Sequence, residues 1–372
     1  MKKLKSIKDF PTSFWQGKKV IVRVDFNLPL KENGRVSDWQ RLIASLPTIK
    51  YLKKNKAKIL LISHAGNDKS LKAVGKKLND YFKVGWLTDI PETWPGGEVN
   101  LLENIRYFKG EESNSVFLAK RLAKIADFYI NEAFSASHRK HTSIVGLPKL
   151  LPGAIGLLFA LEMEKLTKLH KPQKPFLLVL GGAKLDTKLP LLKTFLPKVS
   201  QVYLAGIPAN SIYKKLGWPV GKSVAPDIGK GFRDFLKSSK VVLPVDFKIL
   251  SSRRGQKNIK AEEIMPGDMI VDMGKESLED LFSATNQART ILWNGPLGYM
   301  EKGFKDGTRD FYKKLQTKKR AEIIIAGGDT IAGLGENSKK GNIYLSSGGG
   351  ATLAFLTAQT LPGIEALKGE FK

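Results

Sequence analysis

Cysteine is absent from all 372 residues, which excludes disulfides, thiolate nucleophiles and cysteine-bound metals. Histidine is scarce: the four present form no HExxH, no histidine pair and no cluster with carboxylates at ligand spacing, so the common metal-hydrolase designs are excluded as well. No GxSxG elbow marks a serine hydrolase, and no GxxxxGK[ST] marks a P-loop enzyme. Long apolar runs are missing too. The longest, residues 150–161, is broken by Pro152 and Gly153 and falls short of the roughly 18 to 20 residues that span a bilayer. The basic start, residues 1–8, leads into Asp9, Phe10, Pro11 and Thr12 where a signal peptide would place its apolar core. A soluble, cytoplasmic protein is expected.

Acidic residues are few relative to basic ones, 35 against 62, giving a net charge of +27. Such an excess suits nucleic acid, a membrane surface or small anionic substrates, and does not choose among them. No like-charge run has the length of a basic tail, and aromatics are not interleaved with lysines as a single-strand binder requires. Lys53, Lys54, Lys56, Lys76, Lys77, Lys313, Lys314, Lys318 and Lys319 sit in helix-like stretches and read as solvated faces.

The length fits about two domains. Short Val/Ile/Leu runs alternate with longer amphipathic ones: VIVRV, KILLIS, VNLLEN and FYINEAF, then FLLVLGG, VYLAG, VVLPV, MIVDMG, TILWNG, EIIIAGG and NIYLSSGG. Strands apolar on both faces and separated by helices imply parallel sheets covered on both sides, so the class is α/β with two such sheets. Residues 148–174 carry a helical pattern followed by KPQKP, whose prolines end the helix; this is the best domain connector. The expected division is residues 1–150, a connecting helix over 151–174, and residues 175–359.

Glycine is the abundant feature of the second half. LLVLGGAKLDTK (177–188), EIIIAGGDT (322–330) and IYLSSGGGATLAF (343–355) each run from a strand into glycine and then into a helical pattern. Backbone N–H groups at a glycine turn and a helix start point outward unpaired, which suits phosphate. Lys184 and Lys188, four apart, are expected to share one face of an opening helix. Asp329 after AGG is placed to hold Mg²⁺ that keeps most of its waters, or to act only as an N-cap. Asn294 and Glu301 lie in WNGPLGYME, a segment that also reads as a plain Pro-Gly turn.

The first half is basic at its strand ends: Arg23, Asp25 and Asn27 in RVDFN, His64 in ISH, Arg106 in ENIR, and His138 with Arg139 in SASHRKH, while Arg41 opens RLIASLPTIKYL. Each alone reads as surface ion pairing. Their convergence suits a small molecule bearing both carboxylate and phosphate, which arginine holds bidentately. His141 reads as local packing and His170 as a helix-surface residue.

RVDFNLPL, RLIASLPTI, LLENIRYFKGEE, NEAFSASHR, GGAKLDTK, WNGPLGYME, GGDT and SSGGGATL, in this order, resemble the phosphoglycerate kinases over nearly the whole chain. The resemblance implies two Rossmann-like three-layer α/β/α lobes joined by a helical hinge, with residues 360–372 packing back on the amino lobe. It implies 3-phosphoglycerate on Arg23, Asp25, Asn27, Arg41, His64, Arg106 and Arg139. Mg-ATP or Mg-ADP would lie on Gly182, Lys184, Lys188, Asn294, Glu301, Gly328, Asp329 and Thr330, with the metal on Asp329. Arg41, Lys184, Lys188, Gly349 and Gly350 would serve the transferred phosphoryl group, in a direct in-line reaction (EC 2.7.2.3) of a cytoplasmic monomer. The chain departs from the family pattern at Asn67, at AGIPAN (205–210), at Tyr344 opposite Glu162, at Ala354 and at Ala326. Those departures raise a different phosphorylated acid as acceptor, and the net charge raises a non-catalytic nucleic-acid binder.

Overall fold

The computed structural model describes residues 4–29, 35–66, 69–228, 233–334 and 342–369. The chain divides into two compact units, one of Met1–Glu164 with Ala358–Lys372, the other of Lys165–Thr357. Asn67 lies outside the described residues.

In the first unit the elements run β1 (Lys19–Arg23), α1 (Gln40–Lys54), β2 (Lys58–Ile62), α2 (Lys72–Leu78), β3 (Val84–Leu87), β4 (Val99–Leu102), α3 (Val116–Ala123), β5 (Phe128–Asn131), β6 (Gly153–Ile155) and the start of α4 (Leu157–Lys168). The strands form one parallel sheet in the order β3-β4-β2-β1-β5-β6. KVIVR and KILLI are β-branched or leucine at nearly every position and buried on both faces, as a sheet covered on both sides demands. Val20, Val22, Ile59, Leu61 and Ile130 pack on Leu42, Ile49 and Leu52 of α1. From β1 the chain first builds strands on one side and later places β5 on the other, so the topology reverses between β1 and β5.

The second unit continues with β7 (Phe176–Leu180), α5 (Lys188–Phe195), β8 (Gln201–Leu204), α6 (Gly206–Lys215), α7 (Arg233–Leu236), β9 (Val241–Val242), β10 (Asp246–Ser251), β11 (Gly255–Lys260), β12 (Asp268–Met273), α8 (Lys275–Gln287), β13 (Thr290–Asn294), α9 (Asp306–Gln316), β14 (Glu322–Ala326), α10 (Gly328–Leu334), β15 (Ile343–Ser346) and α11 (Gly350–Ala358). Helix α12 (Pro362–Lys368) belongs to the first unit, where Leu367 reaches the backbone of Gly153. The second parallel sheet has the order β15-β14-β13-β7-β8-β9, and its topology reverses between β7 and β13.

The MIVDMG strand is not part of either parallel sheet. As β12 it pairs antiparallel with β10, which pairs antiparallel with β11, in a separate three-stranded sheet. Phe247, Ile249, Ile259 and Ile270 give this sheet its own small core with Tyr213.

Candidate active site

In open α/β sheets, ligands sit beyond the carboxyl ends of the strands where the strand order reverses. At the β1/β5 reversal the last residue of β1 is Arg23, almost fully buried at 1% exposure. A buried guanidinium must spend its donors on fixed acceptors. Arg23 Nε donates to Ser143 Oγ at 2.8 Å, Nη1 to the Val24 carbonyl, and Nη2 to His64 Nδ1 at 3.1 Å. A guanidinium can only donate, so Nδ1 of His64 accepts and the ring proton stays on Nε2. Burial, then the Arg23 cation, lowers the His64 pKa to about 3, and the imidazole is neutral.

Asp25 sits between these groups and the helix. Its carboxylate accepts from Arg41 Nη1 at 3.0 Å, from Ser135 Oγ and from the Asn27 N–H at 3.1 Å, and lies 3.9 Å from His64 Nδ1. Burial works to raise the Asp25 pKa, and Arg41 with the hydrogen bonds from Ser135 and Asn27 outweighs it, holding the carboxyl below its ordinary value. Arg41, in the first turn of α1, also donates to the Asn27 carbonyl at 3.1 Å and stays partly exposed. Arg106 pairs with Glu112 at 3.0 Å. Burial, then the Arg106 cation, lowers the pKa of Arg139, which places the two arginines close enough to repel. Like cations crowd together where an anion is to be bound.

Polar residues that bear no charge signal in the sequence hold this cluster. Asn104, fully buried, accepts the N–H groups of Ala65 and Arg106, each at 3.1 Å, and donates to the carbonyls of Gly66 and Lys69. Ser63 Oγ accepts the Phe26 N–H at 2.8 Å. His141 lies 3.9 Å from Glu111, within local packing.

At the β7/β13 reversal the loops after the two strands are laced together. Gly181 N–H donates to the Asn294 carbonyl at 2.9 Å, and Gly182 N–H to the Pro296 carbonyl at 2.8 Å. A Cβ on Gly181 would overlap the Pro296 carbonyl, and Gly295 has φ +97 with its own Cβ position against Gly181. Only glycine permits this approach. Lys188 opens α5 and is buried; its ammonium donates to the Asn294 side-chain carbonyl, while Asn294 Nδ2 donates to the Ala326 carbonyl at 3.0 Å. Burial lowers the Lys188 pKa to about 8, partly offset by the Asp329 carboxylate and reinforced by Lys184. Thr330, fully buried, accepts the Gly295 N–H at 3.0 Å.

Lys184 and Lys188 do not share one opening helix, contrary to the spacing expectation. A 3₁₀ turn, Leu185–Thr187, separates them, so Lys184 is exposed ahead of the turn and Lys188 is buried after it. Asp329 is exposed and is the second residue inside α10 (Gly328–Leu334), so it does not stand at the N-cap position of that helix. Glu301 is exposed on the 3₁₀ turn Met300–Lys302. Gly349, at φ +53, and Gly350 lead into α11, where Ser346 Oγ and Thr352 Oγ1 lie 2.7 Å apart. His170 is half-buried, its ring 5.9 Å from that of Phe355, and not a surface residue.

Arginines at one switch point and lysines with glycine turns at another describe a phosphotransferase of the α/β class. Residues 7–359 match the sequence model described as phosphoglycerate kinase. Phosphoglycerate kinases of Coprothermobacter proteolyticus and Dictyoglomus turgidum are 37% and 35% identical, each comparison covering 98% of this chain and 99% of the relative. The solved phosphoglycerate kinase of Coxiella burnetii superposes with a TM-score of 0.85 at 30% identity, covering 98% of both chains. The chain belongs to the phosphoglycerate kinase family.

Proposed function

We propose that the protein catalyses reversible phosphoryl transfer between 1,3-bisphosphoglycerate with ADP and 3-phosphoglycerate with ATP, the first unit binding the phosphoglycerate and the second the nucleotide. The observation that carries the assignment of substrates to units is the chain Arg23–His64–Asp25–Arg41 at the β1/β5 switch point, buried up to the partly exposed Arg41. A neutral imidazole flanked by guanidinium groups can donate to an anion without competing for a proton. The acceptor carboxylate is already a nucleophile at neutral pH, so alignment and charge neutralisation suffice and no general base is required.

Arg23, Asp25, Asn27, His64, Arg106 and Arg139 orient the phosphoglycerate, Asp25 and Asn27 by fixing the surrounding backbone and Arg41. Arg41, Lys184 and Lys188 bear on the oxygens of the transferred group, with the turn at Gly349 and Gly350 presenting backbone N–H groups to it. Gly182, Asn294, Glu301, Gly328 and Thr330 shape the nucleotide side. No group of three or more histidines and carboxylates is placed to hold a metal ion among the described residues, and Asp329 is an exposed carboxylate. That donor set fits Mg²⁺, which keeps its waters and takes its other ligands from phosphate. Mg²⁺ held by Asp329 would supply neutralisation of charge on the nucleotide phosphates. Hinge closure, a monomeric enzyme and a cytoplasmic location complete the reading; a tobacco relative 35% identical to this chain is named as cytosolic, and no helix among the described residues is long and apolar enough to cross a membrane.

The test is ATP- and Mg²⁺-dependent phosphorylation of 3-phosphoglycerate, coupled to NADH oxidation through glyceraldehyde-3-phosphate dehydrogenase, with Lys188→Ala as control. Turnover that the control abolishes is expected. Turnover on another phosphorylated acid from a panel, with none on 3-phosphoglycerate, would overturn the acceptor assignment.

A further inference from the structure

Arg23 is anchored from behind by Ser143 and, through it, by Glu111. Ser143 Oγ accepts Arg23 Nε at 2.8 Å and donates to Glu111 Oε1 at 2.5 Å, while the Ser143 N–H donates to Glu111 Oε2 at 2.9 Å. Ser143 is fully buried and Glu111 is 1% exposed. Ser143 lies in a π-helical turn, Thr142–Gly146, a geometry enriched at functional sites. Tyr129 OH donates to the Ser143 carbonyl at 2.8 Å and fixes the turn against β5. Both oxygens of Glu111 are thus committed to one serine, and the serine hydroxyl commits its proton to Glu111 and a lone pair to Arg23. A hydroxyl has a single proton, so its direction is set by the carboxylate.

We propose that Glu111 and Ser143 are positioning residues of the phosphoglycerate site, orienting the Arg23 guanidinium so that its Nη2 holds His64 in the Nε2–H form. The inference rests on the reading that Arg23 and His64 serve phosphoglycerate. The groups facing His64 are Arg23, Asp25, Arg139 and Arg106, and those facing Glu111 are Arg23, Arg106, Ser143 and His141. Burial raises the Glu111 pKa, and Arg23 with the Ser143 hydrogen bonds opposes it. The buried arginine and the buried carboxylate therefore support each other through one hydroxyl.

With only four histidines in the chain, ring-nitrogen NMR of the full-length protein assigns His64 by comparison with His64→Gln. The wild type is expected to show protonation at Nε2; protonation at Nδ1 would overturn the proposal without any variant. In Ser143→Ala and Glu111→Gln, His64 is expected to lose the single tautomer and its ring pKa to rise. The KM for 3-phosphoglycerate should increase roughly tenfold, the order expected for one lost hydrogen bond to a charged group. The KM for ATP should stay within about twofold of wild type, because the nucleotide loops are built from other residues. Folded variants with an unchanged His64 tautomer and unchanged KM would sink the proposal. If His64→Gln itself leaves the KM for 3-phosphoglycerate unchanged, it is the underlying site assignment that fails.

Discussion

The hydroxyl of Thr48 donates to the carboxyl of Glu132 at 2.5 Å and accepts the Leu157 N–H at 2.8 Å. The same carboxyl accepts the N–H groups of Leu158 and Phe159 at 3.1 and 3.4 Å, so a buried acid on the β5 loop caps the start of α4. Burial raises its pKa to about 8, with those hydrogen bonds pulling the other way.

For Glu132 the sign follows from the raised value: between the unfolded pKa near 4.5 and the folded value of about 8, the native state holds the extra proton. Its contribution is fully present below pH 4.5 and is lost as pH rises through 8. Glu132→Gln, a neutral isostere, should remove roughly 2 kcal/mol of the stability lost between about pH 6 and 8.5. Urea unfolding of both proteins at the two pH values measures this, and parallel slopes would contradict it.

Lys188 titrates in the opposite sense. Its folded pKa of about 8 lies below the ordinary 10.5, so between those values the unfolded chain binds the extra proton and stability rises with pH. Lys188→Met should be more stable than wild type at pH 7, by on the order of 2 kcal/mol, with the gap closing by pH 10. The same titration removes the ammonium proposed to neutralise phosphate, so kcat/KM for ATP in the wild type should fall above pH 8. A pH–rate profile flat to pH 10 would remove Lys188 from the transfer step.

Arg41 is held by Asp25 at 3.0 Å yet remains partly exposed, so structural and catalytic roles are separable. Arg41→Lys keeps a charge and loses the planar fork. Its kcat should fall by about 10²-fold, the order for removing one charge-stabilising donor, with the melting temperature changed by only a few degrees. A large loss of stability at unchanged kcat would reduce Arg41 to a partner of Asp25.

The glycine lacing of the second unit admits no side chain. Gly181→Ala forces a Cβ onto the Pro296 carbonyl, and Gly295→Ala adds the strain of a positive φ. Each should destabilise by about 2 kcal/mol or more and raise the KM for ATP while sparing that for 3-phosphoglycerate. Calorimetry and steady-state kinetics on the two variants check both parts, and equal effects on the two KM values would argue against separate binding units.

The parallel sheets were legible because apolar runs such as KILLI and FLLVL leave no polar face to confuse a strand with a helix. The antiparallel sheet was not, since β11, GQKNIK, is exposed at five of its six positions and reads as a loop. Strand β3, VGWL, is short and contains a glycine. The charged candidates were visible at strand ends, and the fold brings Arg23, His64, Asp25 and Arg41 together. Glu111 and Ser143 were not, because 32 residues separate them and only the fold brings them together. Nor does a lysine spacing of four reveal that a 3₁₀ turn will intervene and send one side chain inward.

Because the second unit is a single stretch, Lys165–Thr357, while the first takes in Ala358–Lys372, the order of synthesis and the order of completion differ. A ribosome releases the second unit whole while the first still lacks α12, whose Ile364 and Leu367 are buried. The part of the chain made first is completed after the second unit, and a nascent chain stalled before Ala358 would carry a whole second unit and a first unit still lacking α12.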